Sequence, residues 1–144
     1  AKTLFPYTTL FRSMPSLAKR HWTWSTELIC YATRGRHAFN FPADGHALSH
    51  WVLPSRDGER VHPTQKPVAL AAHAIGHSSN AGAMVFDPFG GSGTTLLACA
   101  STGRIARLIE LDPKYCDVIR RRWTRYAVGA GIDPGPGALA EVAP

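Results

Sequence analysis

The residues with the clearest chemical potential are Asp87-Pro88-Phe89-Gly90-Gly91-Ser92-Gly93-Thr94-Thr95, followed downstream by Glu110 and Asp112. Three glycines beside a carboxylate and three hydroxyls make a loop whose backbone a ligand can approach closely. Glycine lacks the Cβ that would hold a ligand off, and it takes positive φ at little cost. A triphosphate loop needs G-x-x-x-x-G-K-[ST], and no lysine lies near these glycines. A dinucleotide fingerprint needs G-x-G-x-x-G; Gly91 and Gly93 supply the first two positions and Leu96 occupies the third, a partial match. The remaining reading is an adenosine-bearing ligand without a pyrophosphate, such as S-adenosylmethionine. It needs an open backbone loop for its methionine end and a carboxylate to accept from both ribose hydroxyls. Glu110 lies 23 positions after Asp87, near the offset of about 20 residues for such a partner. Asp112 is better used as a helix cap.

These residues need a frame. Met84-Val85-Phe86 reads as a buried strand ending at Asp87, and the loop opens a helix over Leu96 to Ala100. In open α/β sheets, ligands bind outside the carboxyl ends of the strands. The helix stops at Gly103, placed for a left-handed cap. Arg104 to Asp112 is a second strand, and Asp112-Pro113 opens another helix with Asp as N-cap and Pro at the first helical position. Its apolar stripe is Tyr115, Val118, Ile119, Trp123 and Tyr126, with Arg120, Arg121 and Arg125 largely off it. Upstream, Pro67 starts a helix whose stripe is Leu70, Ala71, Ala74 and Ile75. The centre of the chain is therefore a βαβα unit. Glu27 to Thr33 reads as a further strand, and His37 to Asp57 as an irregular segment anchored by aromatic residues.

At 144 residues the chain has room for one domain. No apolar run approaches the roughly 18–20 residues of a membrane span, and no secretory signal is expected at the amino terminus. Three dispersed cysteines form neither a disulfide framework nor a metal pair, which suits a reducing, cytoplasmic setting. A net charge of +6 and a pI near 9.7 are compatible with a polyanionic partner. His46 with His50, and His73 with His77, have the helical i, i+4 spacing. Neither pair carries the glutamate of H-E-x-x-H, so no metal is expected.

The segments His62-Pro63-Thr64-Gln65-Lys66-Pro67, Asp87 to Thr95, and Ile109-Glu110-Leu111-Asp112-Pro113-Lys114-Tyr115-Cys116 together resemble the carboxyl-terminal part of bacterial DNA amino-methyltransferases. These enzymes methylate adenine N6 or cytosine N4, and the motif order is that of the permuted class with cofactor motifs last. The resemblance covers about Glu27 to Tyr126. It implies an α/β, Rossmann-like S-adenosylmethionine-dependent methyltransferase fold. It also implies S-adenosylmethionine as cofactor and duplex DNA as partner of the intact enzyme, no membrane, and a homodimer left open. Asp87, Pro88, Phe89, Gly90, Gly91, Ser92, Gly93 and Thr94 would line the methionine end, and Glu110 would bind the ribose. By the resemblance alone, the His62–Pro67 segment would close over the methionine moiety, with Lys66 and the backbone around Thr64 against its carboxylate.

Such enzymes also use an [DNS]-P-P-[YFW] tetrapeptide that accepts from the target amine and stacks on a flipped base. No Pro-Pro pair occurs in this sequence. Asp87-Pro88-Phe89 runs directly into Gly90-Gly91 and belongs to the cofactor loop. The expectation is therefore an N-terminally truncated enzyme that holds the cofactor and lacks the catalytic motif. The alternatives are a non-catalytic S-adenosylmethionine-binding fragment, or a methyltransferase acting on RNA or a small molecule. Residues 1–13 resemble translated sequencing-adapter sequence and are expected to be artefact or disordered. Residues 14–127 are expected to form the partial methyltransferase domain, and 128–144 a flexible Gly/Pro/Ala tail.

Overall fold

Small apolar residues at helical spacing decide how the central layers meet. In the computed structural model, which describes residues 6–7, 29–45, 47, 50–53 and 65–139, the chain divides into the units Ala1–His37 and Ala38–Pro144. The first unit contains β1 (Pro6–Tyr7) and β2 (Cys30–Tyr31), paired antiparallel with Pro6 opposite Tyr31 and Tyr7 opposite Cys30. The expected strand over Glu27 to Thr33 is thus observed at Cys30–Tyr31. Glu27, Leu28, Trp22 and Trp24 lie outside the described residues.

The second unit carries α1 (Val68–Ser78), β3 (Met84–Asp87), α2 (Thr94–Ser101), β4 (Ile105–Leu108) and α3 (Pro113–Gly129), in that order. β3 and β4 are parallel, with Met84 opposite Ile105 and Asp87 opposite Leu108. α2 is the crossover between them, as a parallel connection requires. The core is Ile75, Val85, Ala98 and Cys99, with Val68, Ala71, Ala72 and Ala106 packed against it. Ala98 and Cys99 have almost no exposed surface, and their small side chains let α1 come close to α2. The strands alternate: Val85 and Ala106 face this core, while Met84, Ile105 and Ile109 are exposed.

The packed face of α1 is Val68, Ala71, Ala72 and Ile75, at i, i+3, i+4, i+7. The expected stripe of Leu70, Ala71, Ala74 and Ile75 is therefore rotated by part of a turn. α1 is apolar on most sides, so periodicity alone does not select the face that meets α2. Its carboxyl end leaves carbonyls that need donors. Asn40 Nδ2 donates to the carbonyls of Gly76 and Ser79 at 2.8 and 2.7 Å. The Arg104 guanidinium donates to the same two carbonyls and to that of Thr102. Arg104 thereby fastens the end of α1 to the turn entering β4.

α2 ends as expected: Gly103 has φ +70°, and Gly82 N–H donates to its carbonyl at 2.7 Å. α3 begins with Asp112 Oδ1 accepting from Lys114 N–H at 2.9 Å, with Pro113 in the first turn. α3 extends to Gly129, and the chain beyond it turns back along the helix. Ile132 N–H donates to Ala127 O at 2.8 Å. Trp123 Nε1 donates to Pro134 O at 2.9 Å, and Leu139 N–H to Thr124 Oγ1 at 3.1 Å. Residues 130–139 thus lie on α3, where composition alone led to the expectation of a loose tail.

Candidate functional site

The parallel ladder does not stop with the strands. Ile109 N–H donates to Asp87 O at 2.9 Å, and Gly90 N–H to Ile109 O at 2.8 Å. These two bonds draw the glycine loop against the end of β4, so Asp87 and Glu110 both lie at the carboxyl ends of the paired strands. Asp87 organises the loop from below. Its Oδ1 accepts from Phe89 N–H at 3.0 Å and its Oδ2 from Thr95 Oγ1 at 2.6 Å. A short polar side chain bonding the backbone two residues on is an Asx turn. Here it bends the chain sharply out of β3 and ties the bend to the first turn of α2.

The loop then folds on itself. Gly93 N–H donates to Gly90 O at 2.8 Å, and Gly91 and Gly93 take φ of +54° and +81°. Gly91 N–H donates to Glu110 Oε2 at 2.6 Å, while Glu110 Oε1 accepts from Asp112 N–H at 3.0 Å. Each carboxylate oxygen of Glu110 thus holds one backbone N–H. Both bonds orient the carboxylate, an acceptor-only group, toward the glycine loop. Glu110, rather than Asp112, is the carboxylate that faces the loop; Asp112 is used in capping α3.

Of the residues expected from the sequence, Asp87, Pro88, Phe89, Gly90, Gly91, Ser92, Gly93, Thr94 and Glu110 are brought together here. Gly90, Ser92 and Gly93 are buried, and Phe89 stands 85% exposed at the loop. Thr94 Oγ1 donates to Lys66 O at 3.2 Å, which places the Lys66 backbone beside the start of α2. Thr64, with His62 and Pro63, lies outside the described residues.

Three residues escaped the sequence reading of the site. Leu111, 95% exposed, follows Glu110 directly and offers an apolar surface next to the carboxylate. Ile119 underlies the loop: a Cβ on Gly93 would sit 3.1 Å from its Cγ1, and one on Gly90 3.3 Å from its Cδ1. Arg122, one turn later, donates from Nη1 to Ser92 O at 2.6 Å and to Ser92 Oγ at 3.0 Å. The i, i+3 spacing of Ile119 and Arg122 puts them on one face of α3, a signal present in the sequence but hidden within the run Arg120-Arg121-Arg122.

The histidine pair of α1 is part of an aromatic cluster. The His73 and His77 rings are 4.6 Å apart; Trp51 packs edge-on to His73 at 4.3 Å, and Phe39 stacks on His77 at 5.6 Å. His77 Nδ1 lies 2.6 Å from Asn40 O. Burial, followed by the neighbouring His77, lowers the pKa of His73. His46 lies outside the described residues. Among the described residues, no three His, Cys, Asp or Glu side chains group as metal ligands, and no helix is long and apolar enough to cross a membrane.

A family profile described as DNA methylase (N6_N4_Mtase) matches residues 9–121. The chain belongs to this family. The methylase chain is 30% identical over 122 residues to the Type II methyltransferase M2.MboI of Moraxella bovis, covering 76% of this chain and 45% of that protein. It is 32% identical over 123 residues to the Type II methyltransferase M2.DpnII of Streptococcus pneumoniae, covering 75% and 46%. The methylase chain therefore spans less than half the length of these two relatives. Among solved structures it is similar to the complex of M1.HpyAVI with SAM, at 34% identity and a TM-score of 0.56, over 62% of this chain and 45% of that one. A second M1.HpyAVI structure aligns at 28% identity and a TM-score of 0.54, over 71% and 50%. The fold is accordingly the α/β, Rossmann-like methyltransferase fold.

Proposed function

We propose that this methylase chain carries the S-adenosylmethionine-binding part of a DNA amino-methyltransferase acting on adenine N6 or cytosine N4 in duplex DNA in the cytoplasm. The observation that carries the reading is the Glu110 carboxylate, held by Gly91 N–H and Asp112 N–H at the joint mouth of β3 and β4. A carboxylate accepts hydrogen bonds and cannot donate them, so it suits the vicinal hydroxyls of a ribose, which donate; a phosphate, which only accepts, is no match for it. Exposed Phe89 and Leu111 give apolar surface for the ligand's uncharged parts, and the loop from Asp87 to Thr94 lines its methionine end. Lys66 and the backbone around Thr64 are assigned to the ligand carboxylate.

S-adenosylmethionine brings an activated methyl group on a sulfonium, so the protein has to align donor and acceptor. Asp87, the glycine loop and Glu110 fix the donor's position through bonds already made within the chain. Binding the target amine needs acceptors of its own. These 144 residues contain no Pro-Pro pair, so under this reading the stretch serves donor binding and not acceptance of the amine protons.

Calorimetric titration of the chain with S-adenosylmethionine tests the proposal. One site is expected, and Glu110→Gln should weaken it by about 10- to 100-fold. The amide carries no charge and presents one acceptor oxygen where two are in use, and a hydrogen bond to a charged group contributes about 1.5–3 kcal/mol. Absence of saturable binding by the wild-type chain, or equal affinity in the variant, would sink the assignment.

A further inference from the structure

The loop is held not only from the strands but also from α3, and the manner of holding is specific. The peptide joining Ser92 to Gly93 is fixed at both of its polar ends. Its N–H donates to Gly90 O at 2.8 Å, and its carbonyl accepts from Arg122 Nη1 at 2.6 Å. The same Nη1 lies 3.0 Å from Ser92 Oγ, and Ser92 is only 5% exposed. A flip of this peptide would break both bonds, and Gly93 at φ +81° is the residue at which such a flip would occur. Ile119 lies close beneath, where a Cβ at Gly93 would come within 3.1 Å of its Cγ1. A guanidinium donating to a buried carbonyl and hydroxyl makes a charge-assisted bond, among the stronger ones a side chain can form.

We infer that Arg122 is a positioning residue for the cofactor loop. By locking the Ser92–Gly93 peptide, it holds the loop in its binding geometry before any ligand arrives. The inference rests on the proposed donor-binding function for its purpose, though not for its geometry. An unlocked loop has to be ordered by the ligand itself, and apparent affinity falls by the fraction of time the loop is correctly formed. Arg122 acts through Ser92.

Two measurements on the full chain test this, using Arg122→Met and the milder Arg122→Lys, which keeps the charge and a single donor group. In the unliganded protein, amide hydrogen exchange at Gly91 and Gly93 should speed up about 10-fold or more in Arg122→Met and by less in Arg122→Lys, with amides of β4 unchanged. Titration with S-adenosylhomocysteine should show about 10- to 100-fold weaker binding in Arg122→Met and partial recovery in Arg122→Lys. If Arg122→Met does not fold, the Arg122→Lys loop amides carry the decision. Unchanged loop exchange overturns the inference. So does faster exchange that is uniform over the core, or faster loop exchange with unaltered affinity. Failure of the wild-type chain to bind S-adenosylhomocysteine counts against the donor-binding reading, while the exchange data still decide whether Arg122 locks the loop.

Discussion

Gly93→Ala is the substitution whose effect can be worked most directly from the structure. An added Cβ would lie 3.1 Å from Ile119 Cγ1, 3.2 Å from Cγ2 and 3.4 Å from Cβ. Two separate penalties follow. The left-handed backbone at φ +81° disfavours an L side chain by about 1–2 kcal/mol, and crowding a packed site by one methyl adds about 1–3 kcal/mol. The expected loss is therefore about 2–5 kcal/mol, a large share of a typical domain's 5–15 kcal/mol. Urea denaturation of wild type and variant measures it. Ile119→Ala removes Cγ1 and Cγ2 and leaves Cβ at an ordinary contact distance. In that background the steric part should vanish and Gly93→Ala should cost only the backbone part, about 1–2 kcal/mol. The double-mutant cycle thus separates the two causes. Equal cost in both backgrounds, or a loss below about 0.5 kcal/mol in the wild-type background, would refute the claim that Ile119 forms the loop's floor.

Two further outcomes concern titrating groups. Burial raises the Cys99 thiol from 9.0 to about 11, against the opposing pull of Arg104. The unfolded chain therefore releases this proton at lower pH than the folded one, and stability should fall between pH 9 and about 11. Comparing urea midpoints of wild type and Cys99→Ala across that range checks it; the same slope in both would remove Cys99 as the cause. His73 is lowered from 6.5 by burial and then by His77, so below about that pH the unfolded chain binds a proton the folded one resists. Stability should decline as pH falls below 6.5, and His73→Gln should flatten this part of the profile. A melting temperature with the same acid slope in the variant would contradict the assignment.

Much of the site was legible because its residues carry local rules. Glycines at positive φ, an aspartate before a proline, and a carboxylate at a strand's end each announce one geometry. Gly91, Gly93, Gly103, Asp112 and Glu110 all take the places that these rules assign. What escaped depends on which surfaces meet. The stripe of α3 shows that Ile119 faces inward but not that it lies under Gly93. An arginine within a run of three carries no mark of the one that turns toward Ser92. α1 is apolar on too many sides for its packed face to be chosen without α2. Residues 130–139 are rich in glycine and proline, yet bind α3 through backbone groups that composition does not register.

The bonds and contacts that shape the glycine loop run from Asp87 to Arg122 in one unbroken stretch, and among the described residues the Lys66 carbonyl joins them from upstream. Gly91 and Glu110 are 19 residues apart, and Ser92 and Arg122 are 30 apart. Bringing such non-local groups together costs loop-closure entropy before any contact repays it, and parallel pairings form slowly for that reason. The glycine loop should therefore take its final shape late in folding, after the α2 crossover has brought β4 to β3. Reconnecting the polypeptide elsewhere, by permutation or by insertion outside this stretch, leaves each of those closures unchanged.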